Sequence, residues 1–301
     1  MKRRDFIRST ALTAGALAAA GNSFSMLNPA MAMRPIGVQL FTLFGVIEQD
    51  VPGNLKKLKD LGFSEVESAF STKPGFYGIG AAEFRSLVKE IGLGWNSHHV
   101  LGTPFVPPPD MKLPDNLKNM PMPRNLKENA QELVDEVAGA GVKYIVCASI
   151  DISSGEKVKS SIDILNKAGE AAKKAGITLA YHNHDGEFKN VDGIVPYDLF
   201  LSQLDKSIKF ELDLAWTAKA GIDPVALFKK NPGRFPLWHV KDFDKEYKIL
   251  QPVGSGVIDF KKIFANAKTA GLEHAFVEHD MPPDAWTSLT ASMTYLKTIL
   301  K

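Results

Sequence analysis

Five helix-like segments of this chain are each followed at once by a glycine and then by a short apolar run. The glycines at these joints are Gly62, Gly92, Gly141, Gly176 and Gly271. Glycine adopts the left-handed conformation that ends a helix at little cost, so the chain can turn directly into a strand. A joint that recurs in this way predicts a repeated unit in which each helix leads into a new strand.

Strand-like and helix-like segments alternate from Arg34 onward. Patterns of apolar residues predict strands at 36–40, 65–67, 93–99, 144–148, 177–180, 208–212, 236–240 and 275–277. Helices are predicted at 51–61, 81–91, 125–140, 156–175, 196–204, 224–230, 260–270 and 285–300. Eight such units fit a single (β/α)₈ TIM barrel, an α/β fold. A doubly wound open sheet is the alternative. That fold typically has a glycine-rich phosphate-binding loop after the first strand, whereas residues 40–44 contain no glycine, so the barrel is favoured.

The first 32 residues are a different kind of sequence. A twin-arginine pair (Arg3-Arg4) precedes an alanine-rich stretch from Ala11 to Ala20, and Ala30-Met31-Ala32 has the small-x-small form of a cleavage site. This order resembles a Tat signal peptide, and its apolar part is too short to span a membrane. We expect residues 1–32 to be removed during export to the periplasm by the Tat machinery, with the protein already folded and loaded with its metal. Residues 33–301 would then form one barrel domain that is not inserted in a membrane.

Charge and cysteine content exclude some classes of function. The 36 basic residues nearly balance the 34 acidic ones, so composition gives no argument for binding nucleic acid. The single cysteine, Cys147, excludes an internal disulfide and a cysteine-based metal site. It lies in an apolar run, so we expect it in the core.

Coordinating side chains collect at the predicted strand ends. In a TIM barrel the catalytic groups lie at the C-terminal ends of the strands. Six of the seven histidines are at these ends: His98, His99, His182, His184, His239 and His279. One residue from each of four consecutive strands would meet there: His182, Asp213, His239 and Glu278. Imidazole and carboxylate groups that converge in this way suit one divalent metal ion, and two imidazoles favour Mn, Co, Zn, Ni or Fe over Mg or Ca.

Five motifs carry a resemblance to a known family. They are Tyr181–Asp185 (YHNHD), Glu211–Trp216 (ELDLAW), Trp238–Asp242 (WHVKD), Gly254–Gly256 (GSG) and Val277–His279 (VEH). From about Ile36 to Leu300 the chain resembles the xylose isomerase-like TIM-barrel superfamily, specifically the sugar phosphate isomerase/epimerase proteins related to AP endonuclease family 2. The resemblance implies a divalent ion held after strands five to eight, by the same four residues. Epimerases of the family usually have glutamate at the strand-five position, where this chain has His182.

The predicted reaction is abstraction of a proton from carbon next to a carbonyl or hydroxyl of a carbohydrate, through an enediolate. Glu278 would be a metal ligand and a candidate base, and Lys241 would neutralise the oxyanion or contact a hydroxyl. The candidates for a second acid or base are Glu187 and Glu67. The candidates for substrate contact are His98, His99, His184 and Trp216. His184 could instead orient His182, and His98 and His99 cannot both face the barrel interior.

Several alternatives stay open at this point. The first interpretation is an isomerase or epimerase. The replacement of glutamate by His182 suggests a second interpretation, a dehydratase or a β-eliminating lyase that acts on a keto-sugar, a cyclitol or a 3-keto-glycoside. An AP-endonuclease-like phosphodiesterase and a non-catalytic sugar-binding barrel are further readings. Export favours an unphosphorylated carbohydrate, although Gly254–Gly256 could be a phosphate cradle rather than a tight loop. The proline-rich loop at 101–124 could be a lid or plain surface, and the oligomeric state is open, a homodimer included.

Overall fold

Eight parallel strands close into a barrel in the computed structural model, which describes residues 34–105 and 122–300. The barrel strands are β1 (Gly37–Gln39), β2 (Glu65–Ser68), β3 (Gly94–Leu101), β4 (Tyr144–Ser149), β5 (Thr178–His182), β6 (Lys209–Asp213), β7 (Leu237–Val240) and β10 (His274–Val277). Because β1 pairs with both β2 and β10, the sheet has no edge, and the predicted TIM barrel is confirmed. The expected signal peptide and most of the proline-rich loop lie outside the described residues.

Ten α-helices surround the barrel in the described part of the chain. They are α1 (Val51–Leu61), α2 (Ala81–Ile91), α3 (Leu126–Gly139), α4 (Gly155–Lys174), α5 (Pro196–Gln203), α6 (Leu214–Lys219), α7 (Pro224–Lys230), α8 (Phe260–Phe264), α9 (Ala267–Ala270) and α10 (Ala285–Ile299). All five joint glycines have a positive φ, from 72° at Gly141 to 106° at Gly62, as the sequence predicts. Within 34–105 and 122–300, none of these helices has the length and apolar character that crossing a membrane requires.

Three details differ from the prediction. Helix α6 was missed; it begins because the Asp213 side chain accepts the amide N–H of Trp216 at 2.8 Å. The single helix predicted over 260–270 is two helices, α8 and α9, separated at Asn266, whose side chain donates to the carbonyl of Lys262. A two-stranded antiparallel sheet, β8 (Asp242–Phe243) with β9 (Leu250–Gln251), was also not predicted and follows β7.

The barrel interior changes from apolar to polar along the strands. An interior plug of five buried side chains lies toward the N-terminal ends: Tyr144, Val146, Ala180, Leu237 and Phe276. Two residues further along three of these strands, on the same face, come His182, His239 and Glu278. The period of two therefore places coordinating groups directly beyond the plug.

A β-bulge in β3 sets which of its side chains face inward. Val66 of β2 pairs with Trp95, but the next residue, Glu67, pairs with Ser97, so Asn96 is an extra residue. After the bulge Ser97 donates from its hydroxyl to the Glu67 carboxylate in the barrel interior. His99, two residues later, faces inward with it.

Candidate metal centre

Four buried side chains from consecutive strand ends meet in the barrel interior, and we call them the metal-ligand group: His182, Asp213, His239 and Glu278. Nδ1 of His239 is 2.6 Å from Oε2 of Glu278 and 4.0 Å from Oδ2 of Asp213. Nε2 of His182 is 3.9 Å from the same Asp213 oxygen. None of the four is more than 5% exposed. The structure thus brings together the set that the strand-end argument predicts.

Three atoms of this group are buried and make no hydrogen bond of good geometry with the described residues: Asp213 Oδ2, His239 Nδ1 and Glu278 Oε2. The last two lie 2.6 Å apart, and the Lys241 ammonium lies 2.8 Å from Glu278 Oε2. The same three residues offer ligand atoms close enough together to hold a metal ion, and so does a second set: His99, His182, Glu211 and His239. Burial raises the pKa of Asp213 to about 7, although the charge of Lys241 acts in the opposite direction. Buried polar atoms without partners cost free energy, and a divalent cation between them would remove that cost. Nitrogen and oxygen donors therefore make this group a fit for a metal ion.

Lys241 adds a fixed positive charge at the mouth side of the group. Its ammonium lies 2.8 Å from Glu278, 3.0 Å from Asp280 and 3.3 Å from Asp213. Burial alone would lower the pKa of Lys241, but the carboxylates of Asp280, Glu278 and Asp213 raise it well above its usual value. Three carboxylates facing one ammonium leave an excess of negative charge, which also suits a divalent cation.

Two glutamates lie on the other side of the imidazoles. Glu67 Oε2 is 2.6 Å from His239 Nε2, and Glu211 Oε2 is 3.1 Å from His182 Nδ1. Burial raises the pKa of both glutamates and lowers that of both histidines, to about 4 for His239. The sequence argument assigned no role to Glu211, although Glu211 and Asp213 share one face of β6 and the alternation could have shown it.

His98 and His99 lie on opposite faces of β3. His99 is in the interior, where its ring stacks on that of His239 with centroids 4.9 Å apart. His98 faces the helices, accepts from or donates to the Ser68 hydroxyl at 2.8 Å and packs on Phe76. Burial lowers the pKa of His98 to about 3. The interior of the site therefore receives one histidine from this pair.

The structure does not bring Glu187 to the metal-ligand group. Its carboxylate accepts from the Tyr181 hydroxyl at 2.8 Å and from the backbone N–H of His184 at 3.0 Å. Tyr181 packs on Phe200, outside the barrel. Glu187 therefore fastens the loop after β5. Glu67, the other candidate acid or base, is fully buried beneath His239.

His184 and Trp216 lie beside the metal-ligand group. The His184 ring is 5.0 Å from that of His182 and 5.6 Å from that of Trp216. Burial lowers the pKa of His184 to about 4, so the ring is neutral near pH 7. Lys219 covers Trp216 with its ammonium 4.4 Å from the ring. A neutral imidazole and an aromatic face can both contact a sugar ring.

The Gly254–Gly256 segment binds a carboxylate of the protein itself. The Asp242 side chain accepts the backbone N–H groups of Phe243, Gly254, Gly256 and Ile258 at 2.9–3.1 Å. A Cβ atom at Gly256 would lie 2.3 Å from Asp242 Oδ1, so only glycine fits. The donors that could cradle a phosphate are thus already paired with Asp242.

A cavity of about 330 Å³ lies next to the site, between the ends of β2 and β3. Its lining includes Phe70, Phe76 and His99. Phe70 also belongs to a cluster with Phe41 and Phe44, whose ring centroids are 5.2–6.0 Å apart.

Cys147, as expected, is a buried core residue, and burial raises the pKa of its thiol.

Comparison with known proteins agrees with this architecture. The sequence profile of the xylose isomerase-like TIM barrel family matches residues 55–298. The chain is 28% identical, over 134 residues, to an inosose dehydratase from Geobacillus thermodenitrificans. That match covers 38% of this chain and 44% of the relative, so it spans less than half of the relative's length.

Solved structures match over nearly the whole barrel. A sugar phosphate isomerase/epimerase from Parabacteroides distasonis is 28% identical, with a TM-score of 0.73, and the match covers 91% of this chain and 97% of that one. A xylose isomerase-like TIM barrel protein from Mycobacterium smegmatis, solved in complex with magnesium, is 15% identical with a TM-score of 0.61. That match covers 89% of this chain and 96% of the other, and at this identity it shows the fold alone.

Proposed function

The chain belongs to the xylose isomerase-like TIM barrel family, and from this premise we propose that it removes a proton next to a carbonyl group of a keto-sugar or ketocyclitol and then eliminates a leaving group. The leaving group would be water, as in a dehydratase, or an alcohol, as in a lyase that acts on a 3-keto-glycoside. The position of the carboxylates relative to the metal-ligand group is the observation that carries this proposal.

His182, Asp213, His239 and Glu278 would hold one divalent ion. When bound, the ion would polarise the substrate carbonyl and so make the neighbouring C–H bond more acidic. Two imidazoles among four ligands favour Mn, Co, Zn, Ni or Fe over Mg.

Glu278 is the carboxylate that we propose as the base. It is 5% exposed, at the side of the group where Lys241 and Asp280 lie. Glu278 would take the proton from carbon, and the C–O bond at the next carbon would break. The same carboxylic acid would then return its proton to the departing oxygen. Lys241, held protonated by its partners, would stabilise the negative charge on the enolate oxygen.

Elimination is favoured over epimerisation because the other candidate bases are placed elsewhere. Epimerisation needs an acid or base on each face of the reacting carbon. Glu67 is buried beneath His239, and Glu187 is bound to Tyr181 on the outer side of β5. Neither carboxylate lies where it could reach a substrate that Glu278 contacts.

An isomerase or epimerase is the second candidate. The match to the Parabacteroides distasonis isomerase/epimerase, at 28% identity over 91% of this chain, supports it. Asp213 would then be the second acid or base, because burial raises its pKa to about 7.

The substrate that we propose carries no phosphate. The occupation of the Gly254 and Gly256 amides by Asp242 supports this, because those donors are not free to bind an anion. We also propose that the protein works in the periplasm after Tat export, on the evidence of the twin-arginine segment. Free unphosphorylated carbohydrates fit that compartment.

Incubation of metal-loaded protein with a panel of keto-sugars, ketocyclitols and 3-keto-glycosides in deuterated water tests the proposal. We expect release of water or of the aglycone from one of them, and loss of that activity in Glu278→Gln. Glu65→Gln is the matched control, because Glu65 is a buried carboxylate at the opposite end of β2. An isomeric product that has gained deuterium would replace elimination by the second candidate. Cleavage of abasic DNA would overturn both.

A further inference from the structure

One oxygen atom, Glu211 Oε2, lies within hydrogen-bond distance of three histidine rings. It is 2.6 Å from His99 Nε2, 3.1 Å from His182 Nδ1 and 3.1 Å from His239 Nε2. Glu211 itself is 0% exposed. A carboxyl oxygen that carries no proton can only accept hydrogen bonds, so a nitrogen that donates to it must carry the proton of a neutral imidazole. This rule assigns the tautomers of His99 and His182. It assigns none to His239, which has a carboxylate oxygen 2.6 Å from each nitrogen, Glu67 Oε2 at Nε2 and Glu278 Oε2 at Nδ1.

The opposite nitrogen of the His182 ring then keeps its lone pair. His182 Nε2 faces Asp213, at 3.9 Å from Oδ2, and His239 Nδ1 faces Glu278, at 2.6 Å from Oε2. These are the two nitrogens that belong to the metal-ligand group. A ligand nitrogen must be unprotonated, and the hydrogen bond on the far side of the ring decides which nitrogen that is.

We propose that Glu211 is a positioning residue that fixes the tautomers of His99 and His182 together. It thereby presents the lone pair of His182 to the metal-ligand group. This inference rests on the proposed metal site, and it adds to that site a residue that contacts neither the ion nor the substrate. The His99 ring stacks on the His239 ring at an interplanar angle of 9° and so limits rotation of the His239 ring.

Glu67 cannot replace Glu211 in this role. Its carboxylate also accepts from the amide of Gln39, at 2.8 Å, and from the hydroxyl of Ser97. It contacts His239 at 2.6 Å and His99 at 3.3 Å, and none of its described contacts is with His182. Glu211, in contrast, is the carboxylate that reaches all three rings, and its second oxygen has no hydrogen-bond partner among the described residues.

The variant Glu211→Gln tests the proposal, since an amide of the same size also donates and cannot hold the N–H groups of His99 and His182 in place. In metal-free protein, nitrogen-15 NMR should show wild-type His182 protonated at Nδ1 and His99 at Nε2. In the variant we expect mixed tautomers for at least His182. Affinity for Zn²⁺, measured by competition with a chromophoric chelator, should fall about 10- to 100-fold.

Glu65→Gln is again the control, because Glu65 accepts from His274 Nδ1 at 2.8 Å in a part-buried pair away from the group. Its Zn²⁺ affinity should match that of wild type. If Glu211→Gln does not fold, Glu211→Asp keeps the charge and should retain the wild-type tautomers with weaker Zn²⁺ binding.

Two further outcomes separate this inference from the proposed function. Wild-type tautomers and wild-type Zn²⁺ affinity in Glu211→Gln would overturn the positioning role and leave the metal site intact. X-ray absorption of the Zn²⁺-loaded protein should show two imidazoles on the ion. Three imidazoles on the ion would place it between His99 and Glu211 and overturn the inference. A wild-type protein that binds no divalent ion would overturn the proposed metal site but not the role of Glu211 in fixing the tautomers.

Discussion

At the scale of single residues, Asp213 serves the fold and the site at once. Its Oδ1 accepts the N–H of Trp216 and begins α6, while its Oδ2 faces the metal-ligand group and makes no hydrogen bond of good geometry with the described residues. The two roles are compatible because a carboxylate has two oxygens that point in different directions, which no pattern of residue types reveals.

Asp213→Asn separates the two roles. Asparagine is as good an N-cap as aspartate, so α6 should stay capped, whereas the charge that faces the ion is lost. In wild type, a divalent ion at 100 times its Kd should raise the free energy of unfolding by about 2.7 kcal/mol. That increase should disappear in the variant. Urea unfolding with and without Zn²⁺ measures it, and an equal increase in both proteins would remove Asp213 from the ligands.

His98 predicts a dependence of stability on pH. Burial lowers its pKa to about 3 in the folded protein, against about 6.5 in an unfolded chain. The unfolded state therefore binds the extra proton as the pH falls below about 6.5, and stability is lost by up to about 1.4 kcal/mol per pH unit down to about pH 3. Urea unfolding from pH 7 to pH 4 should show a shallower acid slope in His98→Asn, which keeps a partner for Ser68. Equal slopes would contradict the buried neutral state.

At the scale of elements, short loops decide what the strand ends can bind. The sequence predicted every barrel strand, because strand formation largely follows local pattern. It missed α6 and the β8–β9 sheet, because short elements of two to six residues depend on particular side-chain bonds rather than on periodicity. The loop that contains Gly254–Gly256 also depends on particular side-chain bonds, because the Asp242 carboxylate accepts four backbone N–H groups there. This segment is therefore a tight loop rather than a phosphate cradle.

Gly256→Ala should disturb this loop. The added Cβ would lie 2.1 Å from the carbonyl oxygen of Phe243 and 2.3 Å from Asp242, neither of which can move without breaking hydrogen bonds. We expect a loss of about 1–3 kcal/mol in the free energy of unfolding, from overpacking. Gly80→Ala is the control, since a Cβ there meets no atom within 4 Å. Similar urea midpoints for the two variants would show that the loop relaxes freely.

At the scale of the whole molecule, the barrel separates stability from chemistry along its axis. The interior plug supplies apolar packing, and the coordinating groups stand beyond it at the strand ends. The sequence predicted the layer of coordinating groups, because four candidate ligands follow consecutive strands, but it did not predict the interior plug. The hydrogen-bond network beneath the metal-ligand group was not predictable in the same way. Glu211 is 112 residues from His99 and 144 residues from Glu67 along the chain, and these side chains meet only when the barrel closes.

Phe276→Ala tests the plug. Removing a fully buried phenylalanine leaves a cavity and should cost about 3–5 kcal/mol of unfolding free energy. Val257→Ala is the control, because Val257 is 39% exposed and its loss should cost about 0.5 kcal/mol or less. Urea unfolding of both metal-free variants gives the comparison. A cost for Phe276→Ala that is no greater than for the surface variant would mean that the plug does not support the barrel.

The extra residue Asn96 shifts the inward and outward alternation of the β3 side chains by one position. Before it, Trp95 points to the helices; after it, Ser97 and His99 point to the axis. Deletion of Asn96 would remove the bulge and make Trp95 and Ser97 neighbours opposite Val66 and Glu67, so His99 would stay in the interior and His98 outside it. With Asn96 kept in a regular strand, alternation from Trp95 would instead place His98 inside and His99 outside. An insertion of one residue therefore decides which of two adjacent histidines faces the site, and related barrels are to be aligned here by facing rather than by count.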